Sequence, residues 1–177
     1  MTVMRRYAEL LLKWNAKINL TAASSLDDAL QHIADCEAIL VHIPNDARTL
    51  VDIGSGGGLP AVVIAAARPE IVVSAVEPIQ KKHAFLRTAA RELGLPNLQA
   101  RAARIEDVEL DAFDVATSRA TFALDEWLAR GLRLVRPGGV VLGMEGRETI
   151  ALPAGATRHP YQLEGKTRAI ISLVRST

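Results

Sequence analysis

A lone cysteine, Cys36, rules out an intramolecular disulfide, and nothing pairs it at metal-ligand spacing with any of the four scattered histidines. The expectation is therefore a protein without metal in a reducing cytoplasm. Long apolar runs are missing too. The longest uncharged apolar stretch, around Leu59 to Ala67, is too short to cross a bilayer, and the N-terminus leads straight into an amphipathic pattern. Neither a membrane span nor a signal peptide is indicated. The net charge of +1 lacks the strong positive field of many dedicated nucleic-acid binders, so any RNA contact has to come from local patches. Internal repeats and low-complexity tracts are absent as well. What is there, 177 residues that are 49% hydrophobic and 23% charged, is enough for one globular domain with a real core.

The opening residues read as a helical preface over 1–45. Tyr7, Leu10, Leu11, Trp14 and Ile18 recur at three- and four-residue steps, one stripe of a helix, until Asn19-Leu20-Thr21 breaks the pattern. Ser25 with Asp28 three positions later resembles a capping box that opens a second helix running to about Leu40. From Thr49 the rhythm changes to that of an α/β core over 46–177. An apolar run to Ile53, a glycine turn and a helix beginning near Pro60 form one unit. A second run, Ile71 to Glu77, precedes a helix over Lys81 to Leu93, which Gly94 ends in a left-handed cap. Leu98 to Ala102 and Val115 to Ser118 read as further strands and Leu124 to Leu134 as a helix. Pro137-Gly138-Gly139 reads as the turn into a fifth strand, Val140 to Met144. Arg158 to Tyr161 and Ala169 to Val174 look like a closing antiparallel pair. Strands alternating with helices imply a parallel sheet with right-handed crossovers.

Asp52-Ile53-Gly54-Ser55-Gly56-Gly57-Gly58 matches D-x-G-x-G-x-G between a predicted strand and a predicted helix. Glycines let the chain turn tightly, so that a ligand can lie against the backbone at the carboxyl end of the sheet, where open α/β folds bind cofactors. Glu77 closes the next strand, where a carboxylate accepts hydrogen bonds from ribose hydroxyls in such folds. A purely structural glycine turn is the competing reading; the strand context and the trailing acid reduce it. A dinucleotide site keeps G-x-G-x-x-G, but the sixth position counted from Gly54 is Leu59, and no Gly-Lys-Ser or Gly-Lys-Thr follows to make a phosphate loop. The methyl donor S-adenosylmethionine survives that comparison, in a Rossmann-like α/β fold.

With Trp14-Asn15, Asn19-Leu20-Thr21, His32-Ile33 with Asp35, Asp52 through Pro60, Lys81-Lys82 with Phe85-Leu86, Arg104-Ile105-Glu106 and Ser118-Arg119-Ala120 in this order, the chain resembles a known family over nearly its whole length. These are the bacterial small-subunit rRNA guanine-N7 methyltransferases, also called the glucose-inhibited division protein B family. The resemblance implies a class I methyltransferase fold with a mostly parallel seven-stranded sheet. It also implies methyl transfer to a guanine in the decoding-region loop of 16S rRNA, as naked RNA or in the small ribosomal subunit. It places Gly54, Gly56, Leu59, Ile105, Glu106 and Arg119 at the cofactor, with Glu77 as the ribose partner. Arg119 could reach either the methionine carboxylate or an RNA phosphate.

Three departures stand out. Relatives usually carry extra N-terminal residues, Glu145 occupies a position where a lysine is expected before Gly146, and the segment from Arg147 to Gly155 is short. The expected chemistry needs no catalytic dyad. Guanine N7 has a lone pair and no proton, so in-line alignment suffices without a general base. Asn19, Thr21 and His32 are candidates for the rim of the base pocket; the plainer alternative is that Asn19 and Thr21 form a turn and His32 is a satisfied helix residue. Lys81 and Lys82 start a helix whose dipole they oppose, which favours a role in holding RNA phosphates. Trp14 and Trp127 read as core anchors. A monomer is expected. The rival readings are a methyltransferase for a small molecule or protein, which needs no basic face, and a nucleotide-binding module without catalysis.

Overall fold

The computed structural model describes residues 2–145 and 149–177. Seven strands form one sheet in the order β3-β2-β1-β4-β5-β7-β6. In chain order they are β1 (Thr49–Ile53), β2 (Val72–Val76), β3 (Leu98–Arg101), β4 (Phe113–Ser118), β5 (Val135–Glu145), β6 (Ala156–Leu163) and β7 (Lys166–Val174). The first five pair in parallel, while β7 runs antiparallel to β5 and to β6. The expected closing pair is thus present and longer than its apolar cores suggested. The sheet order reverses direction between β1 and β4, and at such a switch point the strand ends leave a crevice for a ligand.

Five helices cover this sheet: α1 (Val3–Asn15), α2 (Leu26–Glu37), α3 (Ala61–Ala67), α4 (Gln80–Leu93) and α5 (Leu124–Gly131). Their ends follow from local chemistry. The Thr2 hydroxyl accepts the Arg5 amide, Ser25 and Asp28 form a reciprocal capping box, and Gly94 closes α4 at φ +67°. Alternation along the strands splits the core. Leu50, Val73, Val115 and Leu142 face a cluster with α1 to α4, whereas Val51, Val76, Ala116 and Val141 face α5 and its fully buried Trp127. Trp127 donates its indole N–H to the Leu142 carbonyl at 2.9 Å, so this tryptophan is a core anchor.

Four boundaries differ from the sequence reading. Ile18 lies beyond α1, in the turn that follows, although it still packs on the core. Past α2 the chain tightens into a 3₁₀ turn at Leu40–His42. Helix α5 stops at Gly131, where it lies so close to β5 that a Cβ would stand 2.5 Å from Val141. Arg136 to Gly139 is an excursion within β5, where the partner of Phe113 is Val135 and that of Val115 is already Val140.

Candidate active site

The glycine turn links β1 to α3 and is fastened from three sides. The amides of Gly54 and Ser55 donate to the Val76 carbonyl at 2.9 and 3.1 Å, tying the turn to the end of β2. Glu77, one residue further, is buried and uses both carboxylate oxygens: Oε2 accepts the Gly56 amide at 2.9 Å and Oε1 the Ile79 amide at 2.8 Å. From above, the fully buried Tyr7 on α1 donates its hydroxyl hydrogen to the Gly57 carbonyl at 2.6 Å. The preface lies so close that a Cβ at 57 would stand 2.9 Å from Leu11 and 3.0 Å from the Leu20 carbonyl. At Gly54 the requirement is conformational, since φ is +69° and a side chain would run into Thr121.

Two joined hollows open at this end of the sheet. The larger, about 590 Å³, is lined by the turn together with Thr21, His32, Leu59, Glu77, Lys82 and Arg119. The second, about 400 Å³, is walled largely by apolar side chains, among them Ile53, Val76, Ile79, Ile105 and Phe122, with Glu106 at its edge. Gly54, Pro78, Ile79 and Thr121 border both. Of the residues singled out in the sequence, Gly54, Gly56, Leu59, Glu77, Ile105, Glu106, Arg119, Thr21, His32 and Lys82 therefore meet around one continuous space. Two do not. Asn19 is exposed on the turn and Lys81 is exposed at the start of α4, and neither lines these hollows. Glu106 is drawn outward, 3.4 Å from Arg130.

The residue that braces the preface turn is Asn15. Its Oδ1 accepts the amides of Leu20 and Thr21 at 2.8 and 3.0 Å, and its Nδ2 donates to the Thr21 carbonyl at 3.0 Å. Thr21 Oγ1 in turn stands 3.2 Å from His32 Nδ1. Burial, reinforced by the nearby Arg119 charge, lowers the His32 pKa, so the imidazole is neutral near pH 7.

Beneath the turn, Asp52 of β1 and Thr117 of β4 sit side by side in register, both buried, and their side-chain oxygens have no hydrogen-bond partner among the described residues. Burial pushes the Asp52 carboxyl up to about 7 against the lowering influence of the nearby Ser55 hydroxyl and Ala61 amide, which approach it without reaching full hydrogen-bond geometry. Unsatisfied buried oxygens beside a cleft suit a ligand that brings a donor, directly or through a water. An apolar hollow for a planar ring, a carboxylate with lone pairs left for ribose hydroxyls and an orphaned acid for an ammonium together fit S-adenosylmethionine.

On the other side of Arg119 lies a charged cluster drawn from residues far apart in the chain. Asp35, buried on α2, accepts from the Tyr161 hydroxyl at 2.7 Å and from Arg168 at 2.9 Å, with Arg119 at 3.6 Å. Glu145 is held by both Arg158 Nε and Nη2, at 2.9 and 2.8 Å, and the Ile150 amide adds to it. The charge reversal expected at Glu145 is therefore neutralised within the fold. Gly146 to Glu148 lie outside the described residues, and with them the start of the segment expected to be short.

The family described as rRNA small subunit methyltransferase G matches residues 1–172. The chain is 44% identical over 144 residues to the ribosomal RNA small subunit methyltransferase G of Paracoccus denitrificans, covering 80% of this chain and 74% of the relative. To the protein of that name from an Azoarcus species it is 40% identical over 168 residues, 90% of this chain and 79% of the relative. Among solved structures, an O-methyltransferase from Bacillus cereus superposes with a TM-score of 0.64 at 19% identity, over 96% of this chain and 91% of that one, a likeness of fold. This chain is a methyltransferase and belongs to the rRNA small subunit methyltransferase G family.

Proposed function

We propose that the chain transfers a methyl group from S-adenosylmethionine to N7 of a guanine in the decoding-region loop of 16S rRNA. The observation that carries this reading is the single continuous space at the carboxyl ends of β1, β2 and β4, in a chain matched almost end to end by the family. The bound donor supplies an electrophilic methyl on a sulfonium. Everything else falls to positioning. Glu77 would hold the ribose hydroxyls with the lone pairs its backbone contacts leave free, and Ile105 with Ile79 and Phe122 would pack the adenine. Asp52, buried beneath the turn, would supply negative charge below the donor, and Arg119, which borders both the cofactor cleft and the neighbouring hollow, would lie between donor and acceptor. Neutral His32 and Thr21 border the reacting region without adding a positive charge to repel a sulfonium. No group in this scheme removes a proton, because N7 carries none.

Lys82 at the cleft and the neighbouring exposed Lys81 are read as phosphate holders for the RNA strand, and Asn19 as part of the turn that Asn15 braces. We read residues 1–177 as one domain, since the preface closes the cofactor turn. Among the described residues no helix is long and apolar enough to cross a membrane. The same reading makes the protein a cytoplasmic monomer. The test is transfer of a labelled methyl group to small-subunit RNA from a strain lacking the modification, offered naked and as assembled subunits, followed by mapping of the methylated atom. Label at guanine N7 is expected; donor binding without transfer to either substrate defeats the proposal.

A further inference from the structure

A third hollow, about 320 Å³, adjoins the cofactor cleft, and the two share Arg119 and Ala120. A ligand on one side of that pair can thus meet a ligand on the other. Apolar walls come from Phe122, Leu124, Met144 and the ring of Tyr161, contributed by elements far apart in the sequence. Phe122 stacks on the core tryptophan, Trp127, at 6.2 Å between centroids and 11° between planes, so its ring is held at a fixed angle. Two carboxylates, Asp35 and Glu145, line the same space, each with side-chain exposure of 6% or less.

We propose that this hollow receives the acceptor base, a guanine swung out of the RNA strand, and that Asp35 and Glu145 select it. The proposal rests on the guanine reading above and adds the place and the specificity determinants. An in-helix base hides N7 and its neighbours, so reaction requires an unstacked base, and a hollow walled by Leu124, Met144 and the rings of Phe122 and Tyr161 offers such a base apolar contact away from water. Among the described residues Asp35 Oδ1 accepts only the Tyr161 hydroxyl and Glu145 Oε2 only Arg158 Nε, which leaves each a lone pair for a further donor. Guanine presents N–H donors at N1 and at its exocyclic amine; adenine presents a bare acceptor at N1, which a carboxylate repels. As the N7–carbon bond forms and the carbon–sulfur bond breaks, its electron pair stays on sulfur, the sulfonium becomes a neutral thioether, and the positive charge moves onto the purine. No proton moves. Arg119 and Arg168, more exposed at 24% and 40%, offer charge to the phosphates of the strand that delivers the base.

The experiment fills the hollow from two elements, with Met144→Trp on β5 and Leu124→Phe on α5. Three quantities are read: S-adenosylhomocysteine binding by calorimetry, guanosine monophosphate binding to the S-adenosylhomocysteine-loaded protein, and methyl transfer to unmodified small-subunit RNA. Both variants are expected to keep S-adenosylhomocysteine affinity within about twofold. Guanosine monophosphate binding should be lost in Met144→Trp and weakened about tenfold in Leu124→Phe, with transfer to RNA falling in parallel. Adenosine monophosphate should bind at least tenfold more weakly than the guanosine form to the unaltered protein. The pocket assignment is overturned by undiminished guanosine monophosphate binding in a variant that still holds S-adenosylhomocysteine, by equal affinity for the two nucleotides, or by no guanosine monophosphate binding to the unaltered protein at millimolar concentration. Because these readouts need no RNA turnover, an unaltered protein that binds guanosine monophosphate but methylates no RNA defeats the rRNA reading and leaves the pocket standing.

Discussion

The two sides of Arg119 are built in different ways. On the β1–β2 side the ligand space is made mostly from consecutive residues, Asp52 to Leu59 and Glu77 to Ile79, whose backbone amides and carbonyls hold the turn. On the β4–β7 side it is made from single side chains at positions 35, 119, 145, 161 and 168, joined through carboxylate–arginine contacts. The first is a backbone site that tolerates little change of shape. The second is a side-chain site whose charges balance one another. Substitutions should therefore separate the two, with effects on donor affinity that fall off in a definite order.

The strongest effect is expected from Gly57→Val. Its branched side chain would drive Leu11 and the Leu20 carbonyl off the turn, so donor affinity measured by calorimetry should fall at least about 100-fold, with a stability loss of about 3 kcal/mol by denaturant titration. Glu77→Gln keeps the shape but removes the charge that strengthens two backbone contacts. A loss of about 2 kcal/mol, or roughly 30-fold in donor Kd, is expected. If RNA affinity fell as far as donor affinity in either variant, the division into two sites would be wrong.

Asp52 sharpens the contrast through pH. With its carboxyl at about 7, the free protein carries it partly protonated at neutrality, and a cationic donor prefers the ionised form. Donor Kd should fall about tenfold between pH 6 and pH 8 and then level off, while Asp52→Asn should give a flat profile. Stability of the donor-free protein should run the other way. A raised carboxyl pKa favours the fold at low pH, and that advantage is lost as pH climbs from about 4 through about 7. A smaller change is expected from Tyr7→Phe, which removes one hydrogen bond to the Gly57 carbonyl: about 1 kcal/mol in stability and about fivefold in donor Kd. Smallest for the donor is Arg158→Ala. It strips Glu145 of its arginine partner and should lower the denaturation midpoint, while donor Kd shifts less than about twofold and KM for RNA rises about tenfold.

The same division explains how much could be read from the sequence. The glycine turn and Glu77 announce themselves because each sits at the end of a strand that period and turn residues already mark, whereas Ile105-Glu106, in a short turn past β3, came only with the family resemblance. Tyr7 was visible only as one member of a helical stripe, since nothing local says that a phenol on that stripe will reach a carbonyl fifty residues away in the chain. Asn19 and Asn15 are both near the preface turn, yet only the second turns inward, a choice made by packing. Asp35 is one of the residues that carry the family resemblance, but no local spacing assigns it a role. Its partners Tyr161 and Arg168 lie 126 and 133 positions on, beyond the reach of any spacing rule. Glu145 looked like a misplaced charge because its partner, Arg158, belongs to the next strand.

The bond from Arg168 to Asp35 also orders the protein's own birth. Among the described residues the cofactor cleft draws on nothing beyond Phe122, so its parts have all been synthesised when about two thirds of the chain exists. The cluster around Asp35 waits for the last strand to pair against β5 and bring Arg168 to α2. During synthesis, then, the half that holds the donor is complete before the half that holds the charged cluster, and a chain cut short before β7 lacks Asp35's two hydrogen-bonding partners or the strand that seats them.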